Sequence, residues 1–587
     1  MGRDIRGDVL VRRAGLVLLT VAVSLVGAGG ALAAGPEQGP YRTTRQSYDL
    51  GRQTLLVEAQ RFSLHALPTR LSGEITVPVG ARGRRPVVVF LHGAHQSCDI
   101  PDEFFPTQEW PCRPGFLDVE SFEGYRYVTQ LLASHGFVVI SLDGNPVAPA
   151  DGFVLTFPDG AQFTPRTWMD LRAKIVDTHL RRLARANAGE RGEEVAFGPR
   201  LRGRLDLSRV GLVGHSRGGE GVVWTSLLPG PHPYRLRAVF ALAPVDFFRR
   251  LVPDVPFGVV LPACDGDVFD LEGGWFYDDA RVGPRRSPVW QVVARGANHN
   301  FFNRVWEDEL GFFPLSLLGD EPAPVDPCSP DQIGKTRLSR SKQEHFASAT
   351  IVPFMRAFVA GTAGARSLLA PLGFDAAPPH QIAGAEVDVS YQPPSAERLD
   401  VIRPTPGVGL RRNLLGGAQR VQHVDGFNLC THEPPSFVNN GEGHITGCGT
   451  GPAMQAHALT ELRVAWSDRR ARLVSEIPAG AGDVRGYAAL SLRAVLDPGD
   501  QTRNPLGAAR PFSVALRDRA GRIAVVSVPR SHPAVLYPVR GLAVLGTIRI
   551  PLSAFRGVDR GAIAAVELHF DRSPRGRLLV TDLSFLR

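Results

Sequence analysis

Ser216 lies in Gly214-His215-Ser216-Arg217-Gly218, after the apolar run Val210-Gly211-Leu212-Val213 and before a helix-compatible stretch, Glu220 to Leu228. A serine on a tight strand-to-helix turn presents its hydroxyl beyond the sheet, and small residues two before and two after it let the backbone turn without a Cβ clash. The helix that follows aims its N-terminal amides at negative charge forming beside the serine. The chemistry this allows is nucleophilic acyl transfer. It needs a base to take the serine proton, an acid to orient the base, and donors for the oxyanion.

For a serine on such a turn the acid and then the histidine are expected further along the chain, each after a later strand. The run Phe257 to Leu261 leads into Pro262-Ala263-Cys264-Asp265-Gly266-Asp267-Val268, where Asp267 is the expected acid and Asp265 and Asp270 are its rivals. The run Val289 to Val293 leads into Gly296-Ala297-Asn298-His299, and His299 is the only histidine there. The order Ser216, Asp267, His299 results. Oxyanion donors are expected from the backbone amides of Arg217 and of Ala94, the latter in Gly93-Ala94-His95 after the run Pro86 to Leu91. Each such donor is worth about 3 kcal/mol. His92 and His215 read as loop-shaping residues and His95 as a solvated loop histidine. Trp168, Trp275 and Trp306 read either as walls of an acyl pocket or as core and lid packing. Asp99, Asp102 and Glu103 read as an acidic surface loop. This chemistry requires no metal or organic cofactor, and no cysteine pair has C-x-x-C spacing.

The elements that must position these groups alternate in type. Strand signals run over Leu71 to Val79, Pro86 to Leu91, Phe137 to Leu142, Val210 to Val213, Leu236 to Leu242, Phe257 to Leu261 and Val289 to Val293. Helical periodicity occupies Gly124 to His135, Thr167 to Ala186 and Gln343 to Ala360. Alternation of this kind predicts an α/β domain with a mostly parallel sheet covered on both faces. After Pro378-Pro379 and Pro393-Pro394 the pattern changes to serial short strands, from Arg463 to Ile477 through Leu578 to Leu583, without helices between them. That predicts an antiparallel sandwich. The expected organisation is a leader over 1–33, a catalytic domain over 40–375, a linker over 376–403 and an all-β accessory domain over 404–587.

Length supports more than one core: 587 residues exceed a single ordinary domain. A hydrophobic fraction of 43% excludes disorder as the main theme. The net charge of +8 carries no Lys/Arg block interleaved with aromatics, so no nucleic-acid partner is expected. Arg3, Arg6, Arg12 and Arg13 precede an apolar stretch, Ala14 to Ala34, with Ala31-Leu32-Ala33 as a small-x-small cleavage pattern. This predicts an exported, extracytoplasmic protein by either general or twin-arginine export. Membrane contact is expected only if the leader stays uncleaved. Export makes the six cysteines disulfide candidates. Six cysteines allow about fifteen full pairings, and sequence alone does not choose among them; the local choice is Cys98–Cys112, Cys264–Cys328 and Cys430–Cys448.

Residues from about Ser72 to Ala360 resemble the α/β-hydrolase superfamily. The turn Gly214-His215-Ser216-Arg217-Gly218-Gly219 resembles the nucleophile elbow of chlorophyllases and of dienelactone-hydrolase-like and cutinase-like polyester hydrolases. Arginine after the serine matches the chlorophyllase form; the polyester hydrolases commonly have Met there. Glucuronoyl esterases share the arginine but carry Cys in place of His215. In sites of this kind the acid often follows a small residue by three positions and precedes an apolar one, which favours Asp267 after Cys264. The segment Ile548-Arg549-Ile550-Pro551-Leu552-Ser553-Ala554-Phe555, with Ala564 to Phe570 and Leu578 to Phe585, resembles the closing strands of a carbohydrate-binding or galactose-binding-like jelly roll. Trp466 in that region reads equally as core or as sugar platform.

The resemblance implies hydrolysis of carboxylic esters, with a small-molecule or polymeric ester as substrate and a glycan or cell-surface ligand for the C-terminal domain. The alternative is a non-catalytic surface or glycan-binding protein that uses the hydrolase domain as a scaffold.

Overall fold

The strand that leads into Ser216 sits near the middle of a ten-stranded sheet. The structure is a computed structural model and describes residues 37–59, 63–99, 109–151, 164–306, 328–374, 377–405, 409–433, 444–446, 460–537 and 542–587. All of these belong to one compact unit. The expected leader over 1–33, Cys448, Asp102 and Glu103 lie outside the described residues.

The large sheet contains β1 (Thr43–Glu58), β2 (Leu64–Pro78), β3 (Arg85–Leu91), β4 (Val138–Leu142), β5 (Leu205–His215), β6 (Leu236–Leu242), β7 (Phe257–Pro262), β8 (Val289–Ala294), β9 (Gln381–Ile382) and β10 (Ala385–Gln392). Their order is β1-β2-β4-β3-β5-β6-β7-β8-β10-β9. The stretch from β4 to β8 is parallel, with Val89 set between Ile140 and Leu212. Both margins are antiparallel. At one edge of the sheet β1 and β2 form a long antiparallel hairpin.

Alternate residues of each central strand serve different cores, which is why the strands read as unbroken apolar runs. In β3, Val87, Val89 and Leu91 join one core, while Val88 and Phe90 join another. The helices that cover the sheet include α1 (Arg126–Ser134), α2 (Pro165–Ala188), α3 (Arg217–Ser226), α4 (Gly274–Ala280) and α5 (Arg340–Phe358). Leu171, Ile175, Leu180 and Leu183 of α2 pack with Val222 and Val223 of α3 in the first core. Val128 and Leu132 of α1 pack with Phe346, Ile351 and Phe354 of α5 in the second. Each such side chain contributes roughly 1.5–3 kcal/mol on burial. Helix α2 begins where its periodicity predicts because Thr164 and Thr167 form a reciprocal capping box, and it ends at Gly189 in a left-handed conformation, φ 93°.

The chain runs from β3 to β4 on one side, then crosses back over β3 to β5 on the other. The carboxyl ends of β3 and β5 therefore flank a topological switch point, where an open α/β sheet forms its ligand crevice. Both predicted sources of oxyanion donors lie at those two ends.

Within the stretch expected as a linker, 376–403, the described residues from 377 on carry strands. Strands β9 and β10 extend the large sheet, and Arg398–Ile402 pairs with Gly576–Leu586 in the C-terminal region. The Pro-Pro pairs bracket strands; they do not mark a flexible tether. The C-terminal region is a seven-stranded and a five-stranded antiparallel sheet around one core, with Leu462, Leu490, Leu492, Val514, Leu516, Val566 and Leu568 facing inward. Trp466 belongs to that core: it is fully buried, stacks on Phe570 at 4.4 Å and donates Nε1–H to Ser573 O at 3.2 Å.

Two disulfides, Cys98–Cys112 and Cys264–Cys328, join the expected partners. Cys430 is also disulfide-bonded. These bonds are consistent with an extracytoplasmic protein. Among the described residues no helix is long and apolar enough to cross a membrane.

Candidate active site

Ser216 occupies the step from β5 to α3 with φ 57° and ψ −129°, a backbone conformation that costs a non-glycine residue about 1–3 kcal/mol. Packing imposes it. Ser216 N–H donates to Leu242 O at 2.9 Å, and the two glycines of the motif are sterically required. A Cβ on Gly214 would lie 2.1 Å from Gly218 O, and one on Gly218 would lie 2.4 Å from Leu91 O.

The loop after β3 closes on the serine. A Cβ on Gly93 would lie 2.4 Å from Ser216 Cβ and 2.9 Å from Oγ, so only glycine lets the loop carrying Ala94 come this close. Arg217 opens α3, where first-turn amides have no intrahelical acceptor. His92 braces the same loop. Gly144 N–H donates to His92 Nε2 at 2.7 Å, which leaves the proton on Nδ1 to be donated to Gly93 O at 2.9 Å. The ring thereby ties the loop after β3 to the loop after β4.

His299 is held by its own loop and by the loop after β7. Cys264 N–H donates to Ala297 O at 2.8 Å. From α5, Gln343 Oε1 accepts from Asn298 N–H at 3.0 Å and Gln343 Nε2 donates to Asn298 O at 2.7 Å. The His299 ring donates Nδ1–H to Asp265 Oδ2 at 2.9 Å. The other oxygen of Asp265 accepts from Asp267 N–H at 3.0 Å and Val268 N–H at 2.6 Å. The expected acid, Asp267, is therefore not on Nδ1. Its carboxylate lies 3.4 Å from the opposite nitrogen, Nε2, with the side chain 32% exposed. The reason is local: the amides of residues 267 and 268 turn inward to hold Asp265, which leaves the Asp267 side chain on the far side of the ring. Burial, opposed by His299 and Arg217 and assisted by Asp265, raises Asp267 above the usual carboxylate range. The third acid of the loop, Asp270, accepts from Glu272 N–H at 3.2 Å.

Aromatic rings fix the wall behind His299. His215, next to the serine, stands 4.9 Å from His299 between ring centroids and bonds Tyr125 Oη through Nδ1 at 3.0 Å. Trp306 stacks on His215 at 4.5 Å and on His95 at 5.0 Å, and donates Nε1–H to Ser121 Oγ at 3.0 Å. Burial lowers His95 to about 4 and holds His215 well below the usual imidazole value, so both rings are neutral at pH 7. Sequence reasoning offered no signal for this stack, because its members come from loops separated by many residues. Arg217 extends beside Trp168 and Phe247, 5.6 and 6.0 Å from their centroids, and donates to Asp151 O at 2.6 Å. Asp151 is also paired with the buried Arg172.

Two buried carboxylates stand behind the serine helix. Glu220, in the first turn of α3, accepts from Phe247 N–H at 3.0 Å, Phe248 N–H at 3.1 Å and Trp224 Nε1–H at 3.2 Å. Asp246 is 1% exposed, with Arg249 Nε 3.9 Å from its carboxylate.

No protein-family model matches the chain, and no curated protein matches it. Among the described residues, one cluster of ligand type lies outside this site, Cys430, His432 and Glu461 in the C-terminal region. Its sulfur is committed to a disulfide, which removes the thiolate that a metal would require.

Proposed function

We propose that the protein is an exported serine hydrolase of carboxylic esters, built on an α/β-hydrolase fold with a jelly-roll-like C-terminal region. One observation carries this reading: the Asp265–His299 hydrogen bond at 2.9 Å, made on the nitrogen that leaves Nε2 as the proton acceptor, taken together with a serine held on a strained strand-to-helix turn. In this reading Ser216 Oγ attacks the ester carbonyl and passes its proton to His299 Nε2. The Asp265 carboxylate holds the productive tautomer and stabilises the imidazolium. The amides of Arg217 and Ala94 receive the oxyanion. His299 then returns the proton to the leaving alcohol. Water, activated by the same histidine, hydrolyses the acyl-enzyme.

The test is turnover of a chain-length series of chromogenic acyl esters by the mature protein, with Ser216→Ala alongside. Turnover that disappears in the variant supports the reading, and the chain-length optimum gives the size of the acyl pocket. A folded protein that turns over no ester and does not react with a fluorophosphonate probe at Ser216 would rule it out.

A further inference from the structure

We propose that Asp267 shares a proton with His299 Nε2 in the resting site and thereby sets the pH above which the imidazole can accept the Ser216 proton. This rests on His299 being the base of the hydrolase reading.

The argument is a proton count. Asp265 Oδ2 accepts from Nδ1 at 2.9 Å, so Nδ1 carries hydrogen. In a neutral ring Nε2 then bears a lone pair. An ionised carboxylate 3.4 Å from a lone pair is repelled. The contact becomes favourable when one proton lies between the two, either as imidazolium facing carboxylate or as imidazole facing carboxylic acid. Both forms hold the same number of protons, so the pair titrates as a unit. Release of that proton to water frees the Nε2 lone pair. When Ser216 attacks, its hydroxyl proton moves to Nε2, and the imidazolium formed lies between Asp265 and Asp267.

Several titratable groups surround this pair, among them Glu220 behind the serine helix, which burial raises to about 7, and Asp270 of the same loop, which burial also raises. From the loop after β3, His92 bonds Gly93 O and Gly144 N–H, and burial keeps His95 neutral. From the end of β5, burial keeps His215 neutral, and Arg217 favours ionised Asp267. From the loop after β7, Asp265 opposes a second negative charge at Asp267. Tyr125, on the far side of His215, is raised by burial and stays protonated.

The experiment uses the mature full chain. The ring nitrogens of His299 are followed by NMR against pH, assigned by the signal lost in His299→Gln, and kcat/KM is measured against pH on a neutral p-nitrophenyl ester. In Asp267→Asn, with Asp267→Ser as the second variant should the first fail to fold, the His299 midpoint and the acid limb of kcat/KM both move down by about one pH unit or more. On the acid limb that is a roughly tenfold gain in relative activity. A His299 midpoint that is the same in the wild type and the folded variants overturns the proposal. Absence of Ser216-dependent turnover counts against the hydrolase reading alone, because the NMR midpoint still decides whether the pair exists.

Discussion

Asp265 and His299 meet at 2.9 Å through Oδ2 and Nδ1, and the second oxygen of Asp265 is already taken by two backbone amides. This fixes what an amide would do at position 265. In Asp265→Asn the carbonyl must stay toward the amides of residues 267 and 268, so the NH2 group faces Nδ1 and demands an acceptor there. The proton moves to Nε2, which can no longer take one from Ser216. A tautomer error of this kind costs about 10⁴-fold in kcat in serine proteases, and we expect a loss of about 10³–10⁴-fold here. Asp267→Asn should cost less than about tenfold at the pH optimum, since it leaves Nδ1 untouched. Steady-state kcat for both variants, read above the Ser216→Ala background, checks the division of roles. Equal losses would refute it.

The approach of Gly93 to Ser216 gives a second prediction. An alanine methyl 2.4 Å from Ser216 Cβ cannot be accommodated, so either the loop after β3 or the serine must shift. Displacement of a catalytic group by about 1 Å costs on the order of 10²-fold. We expect Gly93→Ala to lose about that much in kcat while thermal stability changes little, because the loop can move outward. Parallel measurements of kcat and melting temperature test this. Unaltered kcat would mean that the loop is not held against the serine during turnover.

Much of the sheet was legible because buried parallel strands must be apolar on both faces. Pro86 to Leu91, Phe137 to Leu142 and Val289 to Val293 announce themselves for that reason, and the glycines around Ser216 are steric necessities visible as a motif. The choice between Asp265 and Asp267 was not legible. Both stand in an Asp-Gly-Asp sequence, and the decision lies in which carboxylate captures the amides of residues 267 and 268. The strands within 376–403 were hidden by proline pairs that also suit a linker; only pairing with β8 and with Gly576–Leu586 gives those residues their extended form. The stack of Trp306 between His95 and His215 joins loops remote in sequence, which no local pattern encodes.

Asp246 supplies a pH-dependent prediction. Burial, and then the nearby Glu220, raise its carboxyl well above the ordinary value, while Arg249 only partly opposes them. Burial likewise raises Glu220, to about 7. The folded state therefore holds protons that the unfolded chain releases near pH 4. Where the folded state binds more protons, stability falls as pH rises. Their contribution is fully present below about pH 4 and is lost as pH climbs through the raised values. Asp246→Asn removes one of these groups, so the variant should lose less stability than the wild type between pH 5 and pH 8, windows set by those values. Denaturant midpoints at the two pH values test this; identical slopes against pH would refute it.

The last prediction concerns the join between the large sheet and the C-terminal region. Asp582, with φ 54°, accepts from Arg281 Nη1 at 2.5 Å and Arg403 Nε at 3.1 Å, and lies 3.3 Å from Arg493 Nη1. Arg493 also donates to Asp278 Oδ1 at 2.6 Å, and Asp278 is in α4, the helix that follows the loop of Asp265 and Asp267. Burial alone would raise Asp582, but the guanidiniums of Arg281, Arg403 and Arg493 hold it well below the usual carboxylate range. Its contribution to stability is therefore present above the unfolded carboxylate value, near pH 4, and is lost only under stronger acid. Removing one member of a buried ion network leaves uncompensated charge and costs about 3–5 kcal/mol. Asp582→Asn should lose that much at pH 7, measured by denaturant unfolding. Because the network reaches α4, deleting 404–587 should abolish both soluble expression and Ser216-dependent turnover, whereas a detachable module would leave an active catalytic domain behind.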